Sequence, residues 1–147
     1  MTDIEILLEK TLHDEIPITL PMGLSVKEAN DKRVILTAPL EPNINHKSTA
    51  FGGSLYAVAV LTGWSMVFVQ LKKRQIHAHI VIQEAKIKYF SPVHSDLEVV
   101  CEASREDFDR CFTTYEKRGQ GRVVLKAFII NEGKKLLAFE GKYVIHR

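Results

Sequence analysis

The residues best suited to chemistry are Phe51-Gly52-Gly53, which open a long uncharged run. A helix starting there leaves its first N–H groups without intrahelical acceptors. It also turns the positive end of its dipole toward whatever lies in front. Glycine lets a ligand approach that backbone closely. A carbonyl oxygen held there is polarised as in an oxyanion hole, where one donor is worth about 10²–10³ in rate. The same two glycines also suit tight packing under a sheet. Other reactive residue types are sparse. Cys101 and Cys111 form no C-x-x-C, and no Cys/His grouping has metal-ligand spacing, so no metal is expected. Cys111 reads as a small buried hydrophobe, with a reactive thiol as the alternative. His46 reads as a solvated loop residue. Gly119-Gln-Gly121, between Arg118 and Arg122, is a flexible basic turn without a phosphate-loop pattern.

These residues need a scaffold, and the hydrophobic periodicity supplies one. Residues 2–15 predict an amphipathic helix: Thr2 with Glu5 fits a capping box, and Ile4, Leu7, Leu8 and Leu12 share a face. Pro17 and Pro21 mark a loop. Leu24–Val26 and Arg33–Ala38 read as strands around Asn30-Asp31. A polar loop, Asn43–Ala50, leads to a long helix from about Phe51 to Lys73, roughly 33 Å at 1.5 Å per residue. Ile80–Phe90 predicts a strand of similar length. Leu97–Ala103 follows as a strand, then a short helix after Ser104 carrying Phe108, Cys111, Phe112 and Tyr115, closed by Gly119. Val123–Ile130 and Leu136–Ile145 form a hairpin about Asn131-Glu-Gly133. Long strands joined by short turns imply an antiparallel sheet. Only one helix is apolar enough to fill its concave face, which gives an α+β class.

Composition narrows the partners. The chain has 147 residues, which suits one domain spanning 1–147. Twenty Lys+Arg against eighteen Asp+Glu gives a net charge of +2, too even to point to nucleic acid. The N-terminal residues lack a secretory pattern, so a cytoplasmic protein with reduced thiols is the expectation. From Ser48 to Leu71 there are 24 residues without a charge, followed by Lys72-Lys73-Arg74. That run has the length of a membrane span. Its glycines, hydroxyls and Gln70, and a sheet that needs covering, argue for a core helix and no membrane partner.

Two stretches resemble the hotdog-fold thioesterases. Asn45-His-Lys-Ser-Thr-Ala-Phe51-Gly52-Gly53 is similar to the family's Asn, five residues, then His-Gly-Gly, at the entry to the long helix. Ile80-Val-Ile-Gln-Glu-Ala-Lys-Ile-Lys-Tyr89-Phe90-Ser91-Pro92 is similar to its central strand, which ends in Tyr-x-x-Pro. Phe-Gly-Gly-Ser-Leu-Tyr with Thr62-Gly63-Trp64 is most similar to the YiiD C-terminal-type subgroup, which also occurs fused behind an acetyltransferase domain. The likeness covers nearly the whole chain after residue 20. It implies a curved antiparallel sheet wrapped around one long apolar helix. It also implies hydrolysis of an acyl thioester of coenzyme A or of acyl carrier protein, with no cofactor beyond the coenzyme A moiety of the substrate. A homodimer or dimer of dimers is implied as well, because similar proteins place each site between two subunits.

Carried onto this chain, the resemblance makes Gly53 the carbonyl donor, with Phe51, Gly52 and Ser54 beside the substrate. It makes Asn45 the residue that orients water or thioester; otherwise Asn45 is a turn-holding loop residue. Tyr56, Val60 and Trp64, at four-residue spacing, would line the acyl pocket, or simply pack in the core. Lys86, Lys88, Arg118 and Arg122 are candidates for coenzyme A phosphates, or a solvated sheet face. The chain also departs from the pattern. The family's histidine position is Phe51, and the common acidic residue of the helix falls at Val60. No Asp or Glu occurs between Glu41 and Glu84. The usual general base is therefore missing from its place. Glu84, Gln83 or Thr62 could stand in, and Glu84 equally suits a surface pair with Lys86. A non-hydrolytic acyl-thioester binder or a related fatty-acid-synthesis activity is the alternative that this gap motivates.

Overall fold

The computed structural model describes all residues, 1–147. Helix α1 spans Asp3–Glu15, and its start is fixed as its sequence demands. The Thr2 hydroxyl accepts from the Glu5 amide, and the Glu5 carboxylate accepts from the Thr2 amide. The second Glu5 oxygen accepts from the Ala29 amide at 2.9 Å, which ties α1 to the first strand.

The segment between Pro17 and Pro21, expected as a loop, holds a one-turn helix α2, Thr19–Met22. Pro21 fits there because first-turn N–H groups have no intrahelical acceptor to lose. Gly23 then ends the turn at φ 72°, with its would-be Cβ 2.8 Å from the Pro39 ring.

Strands β1 (Ser25–Ala29) and β2 (Arg33–Ala38) pair around Asn30, whose side chain accepts from the Lys32 and Arg33 amides. A 3₁₀ turn, Glu41–Asn43, leads toward helix α3, Gly52–Lys73. Then come β3 (His79–Tyr89), β4 (Leu97–Glu102), helix α4 (Arg105–Arg118), β5 (Gln120–Asn131) and β6 (Lys134–His146). The last two strands are longer than the sequence implies. Gln120 and Gly121 are already strand, and the turn is only Glu132-Gly133. Both turn residues have positive φ, 49° and 78°, as a type I′ hairpin requires.

The six strands form one antiparallel sheet in the order β1-β2-β4-β5-β6-β3. It wraps around α3, the architecture of a hotdog fold. Thirty-five buried hydrophobic residues join helices and sheet in one cluster. Although α3 is long and apolar enough to cross a membrane, 72% of its most apolar stretch is buried in this core. It is a core helix.

Two hydroxyl groups lie within this core. The buried Tyr143 hydroxyl donates to the Val60 carbonyl at 2.6 Å, crossing beside Gly63. The Ser65 hydroxyl, also buried, has no partner. An unpaired buried hydroxyl is costly, and alanine is the better helix former. Ser65→Ala is therefore expected to raise stability by about 1 kcal/mol, or roughly 2–4 °C in Tm for a chain of this size, measured by thermal unfolding.

Burial pushes the Cys101 thiol up to about 12 and the Cys111 thiol up to about 11. Both side chains are buried and free, and neither is poised as a nucleophile.

Candidate active site

The approach to α3 is held by backbone and amide bonds. Asn43 is buried, and its side chain donates to the Met22 and Pro39 carbonyls at 2.9 and 2.8 Å. Its own carbonyl accepts from the Phe51 amide at 2.7 Å, while the Ala50 amide donates to Val93. These bonds set the direction in which α3 begins.

Phe51 is the N-cap, and its side chain makes no capping bond. The first bond into the helix runs from the Leu55 amide to the Phe51 carbonyl. The amides of Gly52, Gly53 and Ser54 have no acceptor within the chain. Three donors and the positive dipole end thus face outward over two residues without side chains. No acidic side chain lies in this first turn. The Phe51 ring lies across Gly53, where an added Cβ would stand 2.4 Å from it.

Asn45 organises the loop before this turn. Its side-chain oxygen accepts from the Lys47 and Thr49 amides at 2.8 and 3.2 Å. Its side-chain NH₂ donates to the Thr49 hydroxyl at 2.9 Å and reaches the Ala50 carbonyl only at 3.5 Å. Asn45 therefore holds a turn, and one of its amide hydrogens remains weakly engaged.

The partly exposed side of α3 runs through Gly53, Tyr56, Ala57, Val60 and Trp64. Spacings of three and four residues keep these on one stripe. Tyr56 meets the Phe139 ring edge-on at 6.0 Å, and Trp64 stacks on Phe68 at 5.4 Å. The three expected pocket residues thus share one partly exposed apolar stripe of α3 that begins at Gly53. Trp64 and Phe68, at the far end of this stripe from Gly53, also line a cavity of about 730 Å³ that Ile76 and Ile80 border.

The structure does not bring the remaining expected residues to this point. Thr62 is fully buried, and its hydroxyl donates to the Val58 carbonyl at 2.6 Å. It lies about 14 Å along the helix from Gly53. Glu84 faces outward from β3 and pairs with Lys142 at 3.4 Å. Gln83 occupies an irregularity between Ile82 and Glu84 and accepts from the Arg122 guanidinium at 3.3 Å. Lys86 and Lys88 lie on the outer face of β3, opposite Glu140 and Ala138. Arg122 is opposite Val144, six rungs beyond Ala138, or about 20 Å along the sheet. Arg118 ends α4. These four basic residues form no single cluster.

One contact was not anticipated. The Tyr89 hydroxyl donates to the Gly52 carbonyl at 2.9 Å, pinning the end of β3 to the first turn of α3. Partial burial raises the pKa of this phenol, so it stays a donor at neutral pH. The Tyr-x-x-Pro ending of the strand was the available signal.

Known proteins share this fold. A family model described as "Putative thioesterase (yiiD_Cterm)" matches residues 6–147. A Chlorobaculum tepidum protein of unknown function is 36% identical, with a TM-score of 0.93, over 98% of this chain and 94% of that one. A Shewanella oneidensis protein, described in the same terms as the family, is 32% identical with a TM-score of 0.86 over the whole of both chains. A Pseudomonas aeruginosa protein at 19% identity, with a TM-score of 0.83 over 96% of this chain and 94% of that one, shares the fold.

Proposed function

The chain belongs to the hotdog-fold thioesterase family matched above, and from that premise we propose that it hydrolyses acyl thioesters of coenzyme A or of acyl carrier protein. The observation that carries this reading is the set of three acceptor-free amides at Gly52, Gly53 and Ser54. The thioester oxygen sits against them and gains negative charge as the carbonyl is attacked. The stripe of Tyr56, Val60 and Trp64 takes the acyl chain, and the loop held by Asn45 offers its weakly engaged N–H to the thioester. The test is release of free thiol across a panel of acyl-CoA and acyl-carrier substrates. Absence of turnover with every chain length overturns hydrolysis.

A second reading is non-hydrolytic acyl-thioester binding or a related step of fatty-acid synthesis. It is favoured by the missing base: Val60 replaces the usual acid, Thr62 is occupied and Glu84 faces away. Tight binding of acyl thioesters without thiol release selects it.

The half-open site fits a homodimer. β3 is an edge strand of 11 residues, with Val81 and Ile82 exposed on it. Pairing with a second copy satisfies that edge and covers the apolar stripe. The chain is expected to elute as a dimer or larger at micromolar concentration. Val81→Lys, a charge on the edge, is expected to give a folded monomer that has lost most activity, read by gel filtration and thiol release.

A further inference from the structure

The outer face of the sheet carries a feature that the reading above leaves unused. Lys86, Glu140 and Lys126 lie on one rung, and Lys88, Ala138 and Phe128 on another. Lys135 stands over the Phe128 ring at 4.2 Å, and Phe90, just past β3, is 55% exposed. Together they border a shallow hollow of about 390 Å³. Four lysines face one glutamate there, and none of the four forms an ion pair. In a chain with a net charge of only +2, that is a local concentration of positive charge. Like charges this close repel one another within a Debye length, and an anionic partner relieves the repulsion. Exposed Phe90 and half-buried Phe128, set among the lysines, give apolar anchors inside a charged rim, the composition of a protein-docking surface.

The patch also lies at the lip of the candidate site. Tyr89 points inward and touches Gly52. Its neighbours Lys88 and Phe90 border the outer hollow, and consecutive Cα atoms are about 3.8 Å apart. A protein seated on the hollow would pass a tethered group over the end of β3 to the free amides.

We propose that the Lys86–Lys88–Lys126–Lys135 face, with Phe90 and Phe128, docks an acidic carrier protein that presents its acyl thioester on a flexible arm. This rests on the acyl-thioester reading and names the form in which the substrate arrives. The probe is purified, fluorescently labelled acyl carrier protein, with binding read by anisotropy at low and high salt. The Lys126→Glu/Lys135→Glu variant is expected to weaken binding about tenfold or more at low salt and to flatten the salt dependence. Its turnover of a small acyl-pantetheine thioester is expected to stay at the wild-type level. Lys126→Arg/Lys135→Arg is expected to keep binding. Carrier binding without any thioester turnover in the wild type would sink the catalytic reading and leave the surface standing. The proposal is overturned if the wild type does not bind the carrier, or if the charge-reversed variant binds it equally. It is also overturned if that variant changes oligomeric mass, which would make the face an interface between copies. Equal affinity for RNA or for phosphatidylglycerol vesicles overturns it too.

Discussion

Gly53→Pro is expected to fold and to lose about 10²–10³ in thioester turnover, chiefly in kcat. Gly53 sits in the first turn of α3, where its N–H has no acceptor in the chain. Proline is tolerated at such positions because nothing in the helix depends on the missing N–H. Proline normally pushes the preceding residue out of the helical region, partly through that residue's Cβ, which Gly52 lacks. The substitution therefore deletes one donor and leaves the helix standing. It also adds a Cβ that displaces the Phe51 ring, an exposed side chain with room to move. Gly53→Ala displaces the same ring and keeps the N–H, so the ratio of the two variants isolates the donor. Equal turnover by the proline and alanine variants removes Gly53 from the site. Unchanged melting temperatures in both show that the comparison concerns chemistry, not folding.

The helix start was legible because its determinants are local. An uncharged run bounded by glycines and by Lys72-Lys73 fixes α3 to within a residue of its observed start. The capping box of α1 and the Asn30 turn are equally local. What sequence could not show was the parity of β3. Counting back from Ile87 by twos puts Gln83 and Val81 on the inner face. The irregularity at Gln83 inverts that count for the residues before it, so Ile82 pairs with inward Tyr143, while Glu84 pairs with outward Lys142 as the count from Ile87 requires. A single extra residue in a strand leaves no signal in composition. It decides which residues at the start of β3 face the core, whereas Glu84, on the Ile87 side of it, faces outward by plain alternation. The Tyr89 contact with Gly52 was hidden for a related reason: it joins residues 37 apart. The gap at Val60 was visible in the sequence, and the structure deepens it, since neither Thr62 nor Glu84 turns toward the free amides. Under the hydrolytic reading, the group that activates water is expected from a second copy across the β3 edge.

The largest expected effect on stability is at Gly63, three turns into α3. In most helices Gly→Ala is favourable by about 1 kcal/mol. Here the added Cβ would stand 2.3 Å from the Tyr143 hydroxyl and 2.6 Å from its ring carbon. Tyr143 is fully buried and cannot swing away, so the helix must move off the sheet. Overpacking of this kind costs about 1–3 kcal/mol, and a stranded buried hydroxyl adds about 1–3 kcal/mol. Set against the helix gain, Gly63→Ala is expected to destabilise by about 2–4 kcal/mol, measured by denaturant unfolding. That is a large share of the roughly 5–15 kcal/mol that holds a typical domain together. Tyr143→Phe removes the nearest atom but leaves the ring, so it should rescue Gly63→Ala in part, and the double-mutant cycle should show coupling. Additive effects would mean that helix and sheet do not meet at this point. The same contact bears on the site. The Tyr143 bond to Val60 and the Tyr89 bond to Gly52 both fasten α3 to the sheet. Loosening the first should therefore lower activity even in molecules that remain folded, by letting the free amides drift from the end of β3.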